Sequence, residues 1–248
     1  MHTFEYLKYK RHYAAMWNEL TDEQLLFVSH LFDQGLEFEA FNTLVLQNFT
    51  QIPWKYFFEI SPEAIISLSG TIDFLHKGTE LTINLLPKLK INKKTLNGPA
   101  NAMMDVTFEQ FFGHTEPAFT AFAQNNDMDM LNHLIAALYS FENEIFNADL
   151  IEGNKRLISS GLRRNYKTSI VFFYLGCRDL MAGRFPKLFS NKKTTTKAND
   201  LAYFEMLENL NNENISNNEI IKKSNIYEAF VRLTAMIEKS EKLKKNNK

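Results

Sequence analysis

Apolar residues along the chain recur mostly at helical spacing, and several of the helix starts are marked by caps. Leu20-Thr21-Asp22-Glu23-Gln24-Leu25 reads as a capping box with a hydrophobic staple, opening a helix that ends near Gly35. Phe38, Phe41, Val45 and Phe49 keep the helical period as far as Pro53. Ser61-Pro62-Glu63 sets an N-cap before a proline at the first helical position and predicts a helix to about His76. Thr107-Phe108-Glu109-Gln110 is a second capping box, flanked by Val106 and Phe111 at staple positions. Pro117 is then expected to interrupt or restart the helix, after a turn at His114-Thr115-Glu116. Asp127 or Asp129 caps the next helix, whose apolar stripe is Leu131, Leu134, Ile135, Leu138 and Ile145. Asn132, His133, Ala136 and Ser140 point away from that stripe. Glu142 falls inside it, either as a frayed end or as a buried polar contact.

Elsewhere the period changes. Leu81, Ile83 and Leu85 alternate with polar residues, Pro87 breaks the run, and Leu89 and Ile91 alternate again. This predicts a short β-hairpin or extended arm near 81–91, with a basic far side (Lys88, Lys90, Lys93, Lys94) and a closing turn at Asn97-Gly98-Pro99. The first dozen residues, aromatic and basic, form an arm or a short helix. Tyr166 to Met181 is apolar on nearly all sides but too short to span a membrane, so it is expected to be the central and most buried helix, with Gly176 allowing a close approach. Residues 191–200 are polar and basic and read as a mobile loop. Leu201, Phe204, Leu207 and Leu210 form another helix. Ser216-Asn217-Asn218-Glu219 is a third capping box, stapled by Ile215 and Ile220. The last helix uses Tyr227, Phe230, Val231, Thr234 and Ile237 before a Lys-rich tail. The fold class is therefore mostly α, a multi-helix bundle with a short β element. A main domain over 1–190 with its central helix at 166–181 is expected, with a helical hairpin over 201–240 packed on it.

Composition agrees with an ordered helical chain: 22 phenylalanines stand against 9 glycines and 6 prolines in 248 residues. The single cysteine, Cys177, excludes an intrachain disulfide and lies in an apolar run, where it is expected to be a small core residue. The N-terminus MHTFEYLKYKRHY has no apolar core of a signal peptide, and no apolar run reaches membrane-span length. A soluble protein made inside a cell is the expectation.

Charge alters the picture more than composition does. The net charge is only −1, yet residues 1–154 hold 20 acidic and 9 basic side chains, a balance of −11. Residues 155–197 hold 11 basic ones (Lys155, Arg156, Arg163, Arg164, Lys167, Arg178, Arg184, Lys187, Lys192, Lys193 and Lys197) against Asp179 alone, a balance of +10. Three uses of this segment stand open: packing on the acidic part of its own chain, contact between subunits or partners, and phosphate binding. Lys155, Arg156, Arg163, Arg164, Lys167, Lys187, Lys192, Lys193 and Lys197 form the candidate interaction surface.

Catalytic motifs are not found. The sequence has no phosphate-binding GxxxxGK, GxGxxG, HExxH or GxSxG pattern, and its six histidines are scattered. Asp73 and His76 share a helical face but lack the second Glu-x-x-His and the two further glutamates of a di-iron bundle. His114 and Glu116 fall in a turn with no visible partner. The expectation is a protein that is not an enzyme, with no catalytic, cofactor-binding or metal-ligating residue.

Several short motifs, taken in order, carry a resemblance. They are Leu20-Thr21 with Gln24-Leu25; Gly98-Pro99 followed by Thr107-Phe108 and Phe111; Leu134-Ile135-Ala136 with Leu138-Tyr139; and Tyr227, Phe230 and Leu233 in the last helix. In that order, spread over most of the chain, they make it similar to a group of mostly uncharacterised helical proteins encoded by bacteriophages and integrated prophages. The resemblance implies a non-enzymatic virion component, tail-assembly adaptor or assembly chaperone that works through protein–protein contacts. Its partners would be copies of itself or other phage structural proteins, and it would be made in the host cytoplasm and incorporated, or not, into the virion. The alternative is a nucleic-acid-binding regulatory protein that uses the basic segment 155–197.

Overall fold

The computed structural model describes residues 1–6, 9–141, 146–189, 198–211 and 214–246. In chain order the helices are α1 (Asp22–Gln34), α2 (Phe38–Thr50), α3 (Trp54–Phe57), α4 (Pro62–Gly70), α5 (Glu116–Asn125) and α6 (Met128–Leu138). They continue with α7 (Ile151–Gly161), α8 (Arg164–Arg184), α9 (Pro186–Phe189), α10 (Ala198–Asn211), α11 (Asn218–Lys222) and α12 (Ile226–Asn246). The strands are β1 (His2–Tyr6), β2 (Tyr9–Tyr13), β3 (Lys88–Ile91), β4 (Lys94–Asn97) and β5 (Ser140–Phe141). The protein is mostly α with short antiparallel β elements, as the periodicity implies.

The chain divides into two compact units, Met1–Leu86 with Arg163–Cys177 and Pro87–Leu162 with Arg178–Lys248. Helix α8 gives its residues up to Cys177 to one unit and the rest to the other, and α10 to α12 belong to the second unit.

In the first unit β1 and β2 pair antiparallel, so the N-terminal segment is a hairpin rather than an arm or a helix. Helix α1 begins with the full reciprocal box. The Gln24 N–H donates to Thr21 Oγ1 at 3.1 Å, and the Thr21 N–H donates to Gln24 Oε1 at 3.0 Å. It ends at Gly35, whose φ of 61° is the left-handed conformation that glycine adopts without a Cβ penalty. Ser61 caps α4 ahead of Pro62 as expected, but the α-helix stops at Gly70 and a 3₁₀ turn covers Asp73–His76. Trp17 anchors the unit: its indole N–H donates to the carbonyls of Phe74 (3.0 Å) and Gly78 (2.8 Å), and its ring packs 5.1 Å from Phe172.

Residues 81–86 are not a strand, despite their alternation. Their backbone donors find side chains instead of a partner strand. The Thr82 and Ile83 N–H groups donate to Asn18 Oδ1 (2.8 and 3.1 Å), Leu81 N–H to Thr79 Oγ1 (3.2 Å), and Leu86 N–H to Asn84 Oδ1 (3.0 Å). Here α8 approaches most closely: a Cβ added at Gly176 would fall 2.6 Å from the Leu81 nitrogen and 2.7 Å from its carbonyl carbon. Cys177 is buried and in no disulfide, as expected of a small core residue.

The second unit carries the hairpin, with Leu89 and Ile91 of the expected 81–91 element in its first strand. Strands β3 and β4 pair through a two-residue turn at Asn92 (φ 49°) and Lys93 (φ 68°), both left-handed, as a type I′ hairpin requires. Strand β5 adds to β4 through Leu96–Phe141 and Asn97–Ser140, so α6 ends at Leu138 where a longer helix was expected. Glu142 and Ile145 lie outside the described residues. The Thr107/Gln110 box forms, with the Gln110 N–H donating to Thr107 Oγ1 at 3.2 Å and the Thr107 N–H to Gln110 Oε1 at 3.3 Å. Pro117 stands in the first turn of α5, where the π-helix over Glu109–Thr115 gives way to an α-helix, so of the two expected alternatives the helix restarts there. The Asp127 carboxylate caps α6, accepting from the Asp129 and Met130 N–H groups.

Helix α6 is more completely buried than α8. Seven of its 11 residues are buried, Asn132 and Ala136 among them, although both were expected to face away. In α8, by contrast, Tyr166, Val171, Phe172 and Leu175 are only partly covered. The Ser216 box does not form. Asn214 caps a 3₁₀ turn there instead, and Ile215 and Ile220, expected to staple the helix, are both exposed.

Candidate functional site

Much of the basic segment is neutralised by carboxylates of its own chain. Lys155 lies 3.0 Å from Asp129 and 3.1 Å from Glu152, and these hydrogen bonds hold its ammonium above the usual lysine range. Arg164 Nε donates to Asp33 Oδ1 at 3.3 Å, an oxygen that also accepts the Thr168 hydroxyl at 2.7 Å. Arg178 donates from Nη2 and Nε to the Glu116 carboxylate at 2.8 and 2.9 Å, and Lys187 meets Glu241 at 3.0 Å and Glu238 at 3.3 Å. Lys167 is buried, and burial pushes its ammonium below the usual range. Arg156 and Arg163 are exposed, while Lys192, Lys193 and Lys197 lie outside the described residues. Exposed ion pairs such as Lys187–Glu241 are screened by solvent, so they tidy the surface more than they build the fold.

The histidines singled out in the sequence have packing partners. His76 Nε2 is hydrogen-bonded to Asn42 Oδ1 at 2.8 Å, and its ring packs against Phe38 and Phe41. Burial lowers its pKa, partly offset by Asp73. His114, read as partnerless, stacks on His133 at 5.8 Å between ring centroids and packs against Phe146. Burial, then the neighbouring His133, lowers its pKa to about 4, so both rings are neutral packing groups at pH 7. Among the described residues no cluster of three or more His, Cys, Asp or Glu is placed to hold a metal ion.

Two features emerge that the motif search passed over. The first is an exposed aromatic surface in the first unit. Pro53 opens α3, a single helical turn, and Phe57 turns into the core. Trp54 and Phe58, four residues apart and so on one face, stack outside it with ring centroids 5.4 Å apart. Trp54 is 39% exposed and Phe58 75% exposed. The run Trp54-Lys55-Tyr56-Phe57-Phe58 was the signal available, since one helical turn cannot bury so many aromatic rings.

The second is a cavity of about 280 Å³ in the second unit. Its wall includes Asn97, Gly98 and Pro99, which the sequence offered only as a turn, with Asp105, Thr107, Ser140, Phe141 and Phe146. The loop forming that wall is strained: Ala102 and Met103 both have φ of 54°, a conformation costing non-glycine residues about 1–2 kcal/mol each. Hydrogen bonds hold it there. Asp105 Oδ1 accepts the Ala100 N–H at 2.8 Å, the Tyr227 hydroxyl donates to the Ala102 carbonyl at 2.6 Å, and the Gly98 N–H donates to the Pro87 carbonyl at 2.9 Å.

No helix among the described residues is long and apolar enough to cross a membrane. No protein-family model matches the chain, and neither a curated protein nor a solved structure matches it.

Proposed function

We propose that this chain is a non-enzymatic structural or assembly protein of bacteriophage type, a virion component or tail-assembly adaptor, that acts through protein–protein contacts. The observation that carries this reading is the exposed Trp54–Phe58 stack. Aromatic residues concentrate at the cores of protein interfaces, and an outward-facing stacked pair on a rigid turn is a preformed anchor for a partner. The phage part of the reading rests on the resemblance that the order of short motifs along the chain carries. The pairing of Lys155, Arg164, Arg178 and Lys187 with their own chain's carboxylates favours an apolar contact over the alternative of nucleic-acid binding by segment 155–197.

The partner tested first is a second copy of the chain. Light scattering on the full-length protein is expected to give a mass above that of one chain, rising with concentration. Phe58→Glu places a charge in the stack at a position that is 75% exposed, and should return the mass to the monomer with unchanged helical circular dichroism. Because the contact is apolar, added salt should not dissolve it. A wild-type monomer at every concentration, or a Phe58→Glu variant that assembles like wild type, overturns this reading.

A further inference from the structure

We infer that the cavity in the second unit is a binding site for a small organic cation, a protonated amine, amidine or guanidinium carried on a flat apolar body. Three independent features meet at its wall. The loop between Pro99 and Asp105 holds two consecutive non-glycine residues in the left-handed region, and such strain persists at sites where geometry matters more than stability. A π-helix begins just beyond Thr107, and π-turns concentrate at functional sites. The carboxamide of Asn97, one of the lining groups, leaves its buried Oδ1 without a hydrogen-bond partner among the described residues.

The chemistry of the lining selects the ligand. Among the described residues that line the cavity, Asp105 is the one that carries a charge. It is exposed and spends one oxygen on the Ala100 N–H. An anion would need free backbone donors at the start of the helix, and three of them are spent: the Thr107, Phe108 and Gln110 N–H groups donate to Gln110 Oε1, the Ser224 carbonyl and Thr107 Oγ1. Phe141 and Phe146 supply flat apolar walls. The Lys94 ammonium already sits 5.2 Å from the Phe141 ring centroid and His114 packs on one side of Phe146, so Asp105 takes the ligand's charge while the two rings flank its flat body. The volume suits a ligand of about the size of one aromatic ring with its polar substituent.

Benzamidine is the probe, titrated into the full-length protein and followed by amide chemical shifts, with benzoate as the control of opposite charge. Benzamidine should bind with a Kd of about 1 mM or tighter, moving the resonances of Gly98, Thr107 and Ser140, while benzoate leaves them in place. Asp105→Asn keeps the acceptor for the Ala100 N–H but removes the charge, and should weaken benzamidine about ten-fold. If that variant does not fold, Phe146→Leu replaces it, with loss of the ring face and the same direction of change. Any one of three results overturns the assignment: no shift with benzamidine up to about 10 mM, benzoate binding as tightly, or a folded variant that binds like wild type.

Discussion

Gly176→Ala is expected to lower stability by about 1–3 kcal/mol, the range for forcing extra volume into a packed site. Helix propensity alone argues the other way, since alanine is favoured over glycine by about 1 kcal/mol in a helix interior. The clash decides the sign. The added Cβ would meet the Leu81 backbone, its carbonyl oxygen closest of all, and backbone cannot swing aside as a flexible side chain can. Leu81 is also held in place: its N–H donates to Thr79 Oγ1, and the Thr79 hydroxyl donates to the Phe172 carbonyl of the same α8. Gly183, further along α8, is the internal control. Nothing lies within 4 Å of a Cβ built there, so Gly183→Ala should raise stability by about 0.5–1 kcal/mol. Urea midpoints of the two variants, compared at equal slope, read the contrast. Two shifts in the same direction would mean that α8 does not rest on the Leu81 segment.

Phe173→Ala should cost about 3–5 kcal/mol, the loss that follows truncation of a core aromatic and the cavity it leaves. The ring is buried in the first unit beside Ile170, Tyr174 and Cys177 on the inner face of α8. Val231→Ala, at an exposed position of α12, should stay within about 0.5 kcal/mol of wild type. Denaturant unfolding of both variants tests the burial directly. A loss below about 1 kcal/mol at Phe173 would place that face at the surface.

What could be read from the sequence was local. The caps at Thr21, Ser61, Thr107 and Asp127 rest on side chains bonding to backbone within one turn, and each was legible from a few residues. What could not be read depended on distant residues. The alternation at 81–86 looks like a strand until Asn18, some sixty residues earlier, takes the backbone donors. The true hairpin needs two left-handed residues at Asn92 and Lys93, with no glycine to announce them. Pro117 marks the start of α5, but nothing local shows that the turn ahead of it is a π-helix. The basic segment shows the same limit: Arg164 finds Asp33 and Arg178 finds Glu116 only once the chain has folded. His114 had a stacking partner in His133 that no spacing rule pairs with it. Of the candidate surfaces, the basic one was visible as composition. The Trp54–Phe58 stack was visible only as an aromatic excess on a helix too short to hide it.

Fluorescence quenching at Trp54 tests assembly through that stack most directly. The chain has two tryptophans, and Trp17 is only 2% exposed, with its indole N–H bonded to two backbone carbonyls. Acrylamide quenching therefore reports Trp54. If copies of the chain meet through the Trp54–Phe58 surface, quenching should fall as concentration rises through the range where the scattered mass increases. In Phe58→Glu it should stay at the dilute-protein level throughout. Quenching that is independent of concentration while the mass grows would place the contact elsewhere on the chain and contradict the proposed interface.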